Sequence, residues 1–255
     1  MINKKVVLFG QTDSRSEKVR KVFENTPKYL DQRGVDVRCR MHAVNNFSRR
    51  VPWTDLLDIG CGDGSISLQL QNAGKRLTLM DLSSGMVQAA QRHVLPEFAD
   101  NVKIYNKNFL HADLAVHSFD LIVTVGVLAH VDSPEEFMAK IKKVIRPGGR
   151  IIMEFTDSRH PVGWLARLWG RCREVFAPAV YATNLFEAAD VFSLWAQHGF
   201  EVEQLFRYAR IPLPGLHRLL GSALEYKLVQ LVFGTSSQSR CGWLGNEYIC
   251  YLKAE

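Results

Sequence analysis

The sequence lacks any framework of paired cysteines. Its five, at 39, 61, 172, 241 and 250, are odd in number, scattered and without a C-x-x-C pair. That pattern argues against a disulfide scaffold and a zinc knuckle, and it points to a reducing compartment, the cytoplasm. Long apolar runs are also missing. The greasiest stretch, residues 211–233, is broken by Pro212, Pro214, His217, Arg218, Glu225 and Lys227, so no membrane span is expected. The opening MINKKVVLFG is too short for a secretory signal and has no small-residue cleavage site. There is no internal repeat and no low-complexity segment.

The composition is otherwise ordinary. A chain of 255 residues suits one larger domain with appended elements. With 32 Lys and Arg against 26 Asp and Glu, the net charge is +6. This excess tolerates anionic partners without requiring a nucleic acid, and none is expected.

Everything else is arranged around LLDIGCGDGS at 56–65. Leu56, Leu57 and Ile59 read as a strand buried on both faces, which belongs in a parallel sheet. Gly60, Gly62 and Gly64 then allow a tight turn and leave bare amides for whatever binds at the start of a helix over 65–73. Strands and helices continue to alternate: strand 76–80, helix 85–94 closed by Pro96, strand 102–105, strand 119–125, helix 135–145 stopped by Pro147-Gly148-Gly149, strand 150–155. A helix over 185–198, a strand over 200–206 and a last strand over 247–252 complete the set. The expected fold is α/β, a doubly wound, Rossmann-like and mostly parallel seven-stranded sheet. Residues 1–52 read as an N-terminal helical flap and 53–255 as the main domain. Inserts at 157–184 and 208–245 form a cap over the acceptor, and the apolar face of the second runs along Leu216, Leu219, Leu220, Ala223, Leu224 and Leu228.

A Gly-rich first turn with an acid ending the second strand suits two kinds of nucleoside ligand. A dinucleotide prefers G-x-G-x-x-G, whereas here the third Gly comes one residue early. Asp58 would sit poorly beneath a pyrophosphate and suits an ammonium-bearing ligand. Asp81 is placed to accept hydrogen bonds from a ribose diol, or else to cap the following helix.

LLDIGCGDGS at 56–65, LTLMDLSSGMVQAA at 77–90, NKNF at 106–109, FDLIVTVGVLAHV at 119–131 and RPGGRIIM at 146–153 together resemble the class I S-adenosylmethionine-dependent methyltransferases. The nearest flavour is the small-molecule group that includes ubiquinone-pathway O-methyltransferases. LFEAADVFSLWAQHGFEVEQL at 185–205 is similar to that family's next helix and strand. The resemblance implies that S-adenosylmethionine is the cofactor. Asp58 and the amides around Gly60, Cys61 and Gly62 would hold its methionine part, and Asp81 its ribose. Leu82 and Met86 would lie against the adenine, with Asn108 and Phe109 at its other edge, Asn108 standing where the family more often has Asp. Carbonyls near Val125 would receive the ammonium. Arg40 would reach the carboxylate, or else form a surface salt bridge.

Methyl transfer from a sulfonium is an in-line displacement, to which a hydroxyl acceptor adds the need for a base. His130, following the fourth strand, is the first candidate for that base; its alternative is to shape the pocket or cap the next helix. His111, His160 and Tyr181 are weaker candidates. No Asn/Asp-Pro-Pro-Tyr/Phe run follows the fourth strand and no Pro-Cys pair occurs, which disfavours attack through nucleobase or glutamine nitrogens or on cytosine. Asp132, Glu135 and Glu136 belong to a helix start rather than a magnesium site. Trp164, Trp169, Leu216 and Leu220 would build an apolar lid over an aromatic, polyketide or prenylated acceptor. The arginines between 159 and 173 would meet an anionic group on it. The inserts serve equally as packing across a homodimer seam. The alternatives to a small-molecule enzyme are methylation of RNA or protein, and a cofactor-binding scaffold without turnover. A nicotinamide oxidoreductase is a third.

Overall fold

The structure, a computed structural model, describes residues 17, 18, 20, 34–164, 184–210 and 216–255, with only the backbone for 216–220. Trp169, Tyr181, the arginines at 167, 171 and 173, and the side chains of Leu216, Leu219 and Leu220 lie outside that description.

The elements run α1 (Gly34–Ser48), β1 (Asp55–Ile59), β2 (Arg76–Asp81), α2 (Ser84–His93), β3 (Val102–Asn106), β4 (Phe119–Thr124), α3 (Pro134–Val144), β5 (Ile145–Thr156), α4 (Ala188–Gln197) and β6 (Phe200–Tyr208). After these come α5 (Leu216–Phe233), the short strands β7 (Gly234–Thr235) and β8 (Gln238–Ser239), and β9 (Glu247–Ala254). The main sheet has seven strands in the order β3-β2-β1-β4-β5-β9-β6. Pairing is parallel from β3 to β5, and β9 enters antiparallel between β5 and β6. From β1 the chain first builds outward through β2 and β3. It then crosses back to add β4 on the other side, which opens a crevice at the carboxyl ends of β1 and β4.

Alternate residues of each strand feed two cores. Leu57, Ile59 and Ile122 face α3 and α4, where Phe155 stacks on Tyr248 at 4.7 Å and meets Trp195 edge-on at 5.6 Å. Leu56, Leu121 and Val123 face α1 and α5. α3 shows why these helices form. Ser133 Oγ caps it by accepting from Glu136 N–H at 3.2 Å, with Pro134 in its first turn. Acids fill its first turn and lysines its last, while Phe137, Met138, Ile141 and Val144 make the buried stripe.

Four expectations change. Residues 65–73 form turns and a short 3-10 stretch, Leu68–Leu70, instead of an α-helix. Gln69 Nε2 donates to Ile66 O at 2.7 Å and Gln71 Nε2 to Leu68 O at 2.7 Å, taking carbonyls that a longer helix needs. α1, expected within an N-terminal helical flap, is built into the sheet's covering layer: Val35, Cys39, Ala43, Val44 and Phe47 are all buried. Gly34 lets it approach α5 closely, since a Cβ there would stand 2.8 Å from Ser222 Cβ. α5 kinks at Gly221 and buries Glu225, Val229 and Phe233 rather than the face carrying Ala223 and Leu224. β5 begins at Ile145, which pairs with Phe119, so Pro147-Gly148-Gly149 lies within the strand span.

Candidate active-site cleft

Three strand tips and the loops after them enclose a cleft with about 930 Å³ of space, part of it open to solvent. Gly60 is obligatory on its floor: with φ at +73°, a Cβ would come within 2.4 Å of Val127 Cγ2, so the tips of β1 and β4 touch only through a bare backbone. Around this floor stand Asp81, Leu82, Ser83 and Met86 from the β2–α2 turn and Lys107–Leu110 after β3. Val125–Val127 and His130–Asp132 follow β4, with Phe137 from α3. Of the residues picked out in the sequence, Gly60, Gly62, Asp81, Leu82, Met86, Asn108, Phe109, Val125 and His130 all line the cleft. Arg20 lines it as well, from the N-terminal stretch.

Asp58, Cys61 and Arg40 do not line it. Asp58 is 2% exposed, and its Oδ2 has no aligned donor. Burial pushes its carboxyl up to about 7, and the charge of Asp81 adds to the shift. The neighbouring Ser67 hydroxyl opposes it only in part and makes no aligned bond of its own. Cys61 is buried, its thiol donating to Gly62 O at 3.5 Å. The bare amides expected at this turn point inward instead. Gly60 and Cys61 N–H both donate to Met80 O, at 2.8 and 3.0 Å, and Gly62 N–H donates to Asp81 Oδ2 at 2.9 Å. The Gly turn is thereby stitched to β2, which holds the Asp81 carboxylate in place.

Asp81 has a second bond of this kind, its Oδ1 accepting from Ser83 N–H at 2.8 Å. The cap of α2 is Ser83, which accepts from Met86 N–H at 3.3 Å, so the capping alternative for Asp81 falls to its neighbour. Burial raises the Asp81 carboxyl and its backbone donors offset part of the rise. A carboxylate has four lone-pair directions, and two here remain for a ligand.

Arg40 and Glu154 form a buried ion pair, Nε to Oε2 at 2.7 Å, although neither atom has an aligned hydrogen bond. Tyr208 donates to Glu154 Oε1 at 3.3 Å. Burial alone would lower the Arg40 pKa, but the Glu154 charge raises it well above its ordinary value. The guanidinium lies against Gly126, where a Cβ would come 3.0 Å from its Nη1. Arg40 therefore braces the cleft wall from behind. Farther out along the same edge, Glu247 accepts from Thr156 Oγ1 at 2.8 Å. Burial, then the Glu154 charge, push its carboxyl up to about 8.

His130 ends a 3-10 turn, Leu128–His130, its N–H donating to Val127 O at 2.8 Å. His111 is exposed and outside the lining set. His160 accepts from Val162 N–H on Nδ1, leaving Nε2 to donate to Trp243 O at 2.9 Å, a structural arrangement. Asn108 Oδ1 accepts from Leu110 N–H at 2.9 Å and orders the loop that carries Phe109. Lys140 was not singled out in the sequence. Its ammonium donates to Leu110 O and Ala112 O at 2.9 and 2.6 Å, beside the Phe109 ring, and pins the same loop. Arg159 pairs with Glu187 at 2.8 Å. Among the described residues no group of three or more His, Cys, Asp or Glu is arranged to hold a metal ion, and no helix is long and apolar enough to cross a membrane.

Comparison with known proteins finds similarity both in sequence and in fold. The model of the methyltransferase domain matches residues 57–153. Over those residues the chain is similar to a methyltransferase domain. The ubiquinone biosynthesis O-methyltransferase of Erwinia tasmaniensis is 27% identical over 129 residues, 51% of this chain and 51% of that protein. The chain thus spans about half the length of the curated relatives it matches. Among solved structures, magnesium protoporphyrin IX methyltransferase from Synechocystis, with bound SAH, aligns at a TM-score of 0.62 and 15% identity, over 95% of this chain and 100% of that one. A Thermotoga maritima methyltransferase described as a possible histamine N-methyltransferase aligns at 0.63 and 16%, over 92% and 99%. At such identities these structures speak for the fold alone.

Proposed function

We propose that the chain moves a methyl group from S-adenosylmethionine to an oxygen of a small-molecule acceptor. The observation that carries this reading is Asp81, held by two backbone amides at the mouth of an apolar slot, inside a methyltransferase domain. The residues fit the cofactor. The two lone-pair directions left on Asp81 suit a vicinal diol, and Met80, Leu82, Met86 and Phe109 offer apolar walls to a flat purine. The unsatisfied Oδ2 of Asp58, just behind the floor, favours an ammonium group arriving at Gly60.

When bound, the cofactor supplies an electrophilic methyl group on a sulfonium. The protein's own part is alignment and dryness: contact between the tips of β1 and β4 closes the floor to water, and the pinned Asn108–Leu110 loop fixes the slot. His130 takes the proton that the acceptor hydroxyl loses as the carbon–oxygen bond forms. The name of the curated relatives supports an oxygen and a small acceptor. Free buried thiols at Cys39, Cys61 and Cys250 support a reducing cytoplasm.

The test is a tritiated methyl donor with a metabolite extract, alongside calorimetry with adenosylhomocysteine. Label is expected in a small organic component. Label in RNA or protein overturns the small-molecule part. Binding without any label leaves a scaffold, and the absence of heat removes the cofactor altogether.

A further inference from the structure

Exposed large apolar side chains are unevenly spread. On the methyltransferase domain Leu95, Tyr105 and Val116 stand apart in sequence and element, while Trp164 and Leu185 flank residues 165–183 and Leu205 sits on edge strand β6. The dense group is Leu224, Leu231, Val232 and Trp243, at 45%, 66%, 38% and 70% exposed. Leu224 and Leu231 are seven residues apart and share the outer face of α5, with Leu228 half-buried between them. The opposite face, through Val229 and Phe233, is spent on the core. At the end of α5 the chain doubles back. Arg240 N–H donates to Phe233 O at 2.9 Å and Cys241 N–H to Val232 O at 3.3 Å, which folds the segment leading to Trp243 back against the end of α5. His160 fixes the Trp243 backbone from below, so its indole is presented outward from a pinned loop.

The exposed charge carried by the segment that forms this stripe has one sign. Between Arg207 and Asn246 the sequence contains a single acid, Glu225, and it is buried on the inner face at 3%. Lys227 and Arg240 are exposed beside the stripe. Arg49 and Arg50, exposed at the end of α1, stand close by, because Asn46 Nδ2 donates to Ser236 Oγ at 3.0 Å and ties α1 to the hairpin. An apolar stripe ending in an exposed Trp, with exposed cations and no exposed acid within residues 207–246, has the chemistry of an interfacial helix. A second copy of the chain would bring the same cations against these ones.

We propose that the outer face of α5 and the β7–β8 hairpin, with Trp243, dock on an anionic lipid surface. The test is co-flotation of the full chain with vesicles of phosphatidylcholine alone or mixed with phosphatidylglycerol. Binding is expected to the mixed vesicles only, and to weaken with salt. Leu231→Asp combined with Trp243→Ser should lower the bound fraction about tenfold or more, and Lys227→Glu with Arg240→Glu about as much. Adenosylhomocysteine affinity should stay unchanged in both pairs, which shows that they fold. Failure to bind either vesicle, or equal binding by the variants, overturns the proposal. So does a dimer in light scattering that Leu231→Asp dissolves, since a second copy is then the occupant.

Discussion

β1 carries an aspartate at each end, and their fates differ. Asp55, at the amino edge, is held bidentately by Arg76 at 2.6 and 2.7 Å and touched by Arg146 at 3.0 Å. Its carboxyl is pulled below the ordinary range, first by the Arg76 hydrogen bond. The same Arg146 reaches Asp120 at 2.6 Å, whose other oxygen accepts from Thr54 and Asp55 N–H, both at 2.9 Å. Asp58, three residues later, has no cation, is fully buried and is pushed up to about 7. One edge spends its charges on joining strands. The other keeps a carboxyl unsatisfied beside a cleft, as expected where a ligand is to complete the electrostatics.

Substitutions at the two edges should therefore fail in different ways. The largest effect is expected for His130→Ala, which should lower turnover by roughly 10²–10⁴ while leaving adenosylhomocysteine binding and Tm in place. Turnover within threefold of wild type would remove His130 as the base. Asp81→Asn should weaken adenosylhomocysteine about tenfold or more by calorimetry, because a charge-assisted acceptor and a stitch to Gly62 are lost together. A pH series of Tm and of ligand affinity tests Asp58. Its folded pKa lies above the unfolded value of 3.8, so its contribution to stability is complete below that value and is lost as pH rises through about 7. Unliganded Tm should thus fall between pH 5 and 8, by the sign of that shift, while adenosylhomocysteine binds more tightly as Asp58 ionises. Asp58→Asn should flatten both trends; a Tm that rises over this window in wild type would contradict the assignment. The smallest effect is expected at the amino edge. Asp120→Asn should lower Tm by about 2–4 °C, with adenosylhomocysteine affinity unmoved. Its depressed pKa, set by backbone and Arg146 bonds against an opposing burial, adds stability above 3.8 that is lost in acid.

The domain was legible where its signals are local. The strands, the glycine turn and the acid ending β2 each announce themselves within ten residues, and nine of the twelve chosen site positions line one cleft, with Asp58, Cys61 and Arg40 outside it. What escaped depends on partners far along the chain. Arg40 looks like a surface or ligand-binding cation until Glu154 is placed beside it. The face of α5 was misjudged because Glu225 is buried and Leu224 exposed, a reversal that no hydrophobic period suggests. Residues 65–73 carry a helical pattern, yet two glutamine side chains take the carbonyls that would sustain it. Lys140 belongs to the exposed side of its helix by pattern, and only the loop folded over it gives it carbonyls to hold.

The guanidinium of Arg40 resting on Gly126 ties two distant positions into a single inherited unit. A side chain at 126 would crowd that guanidinium and be strained by the φ of +72° as well, while a short residue at 40 strands the Glu154 charge. Across related sequences glycine should accordingly persist at 126, and positions 40 and 154 should change together. A double exchange, small at 40 and neutral at 154 with glycine kept at 126, is the route by which this wall can drift.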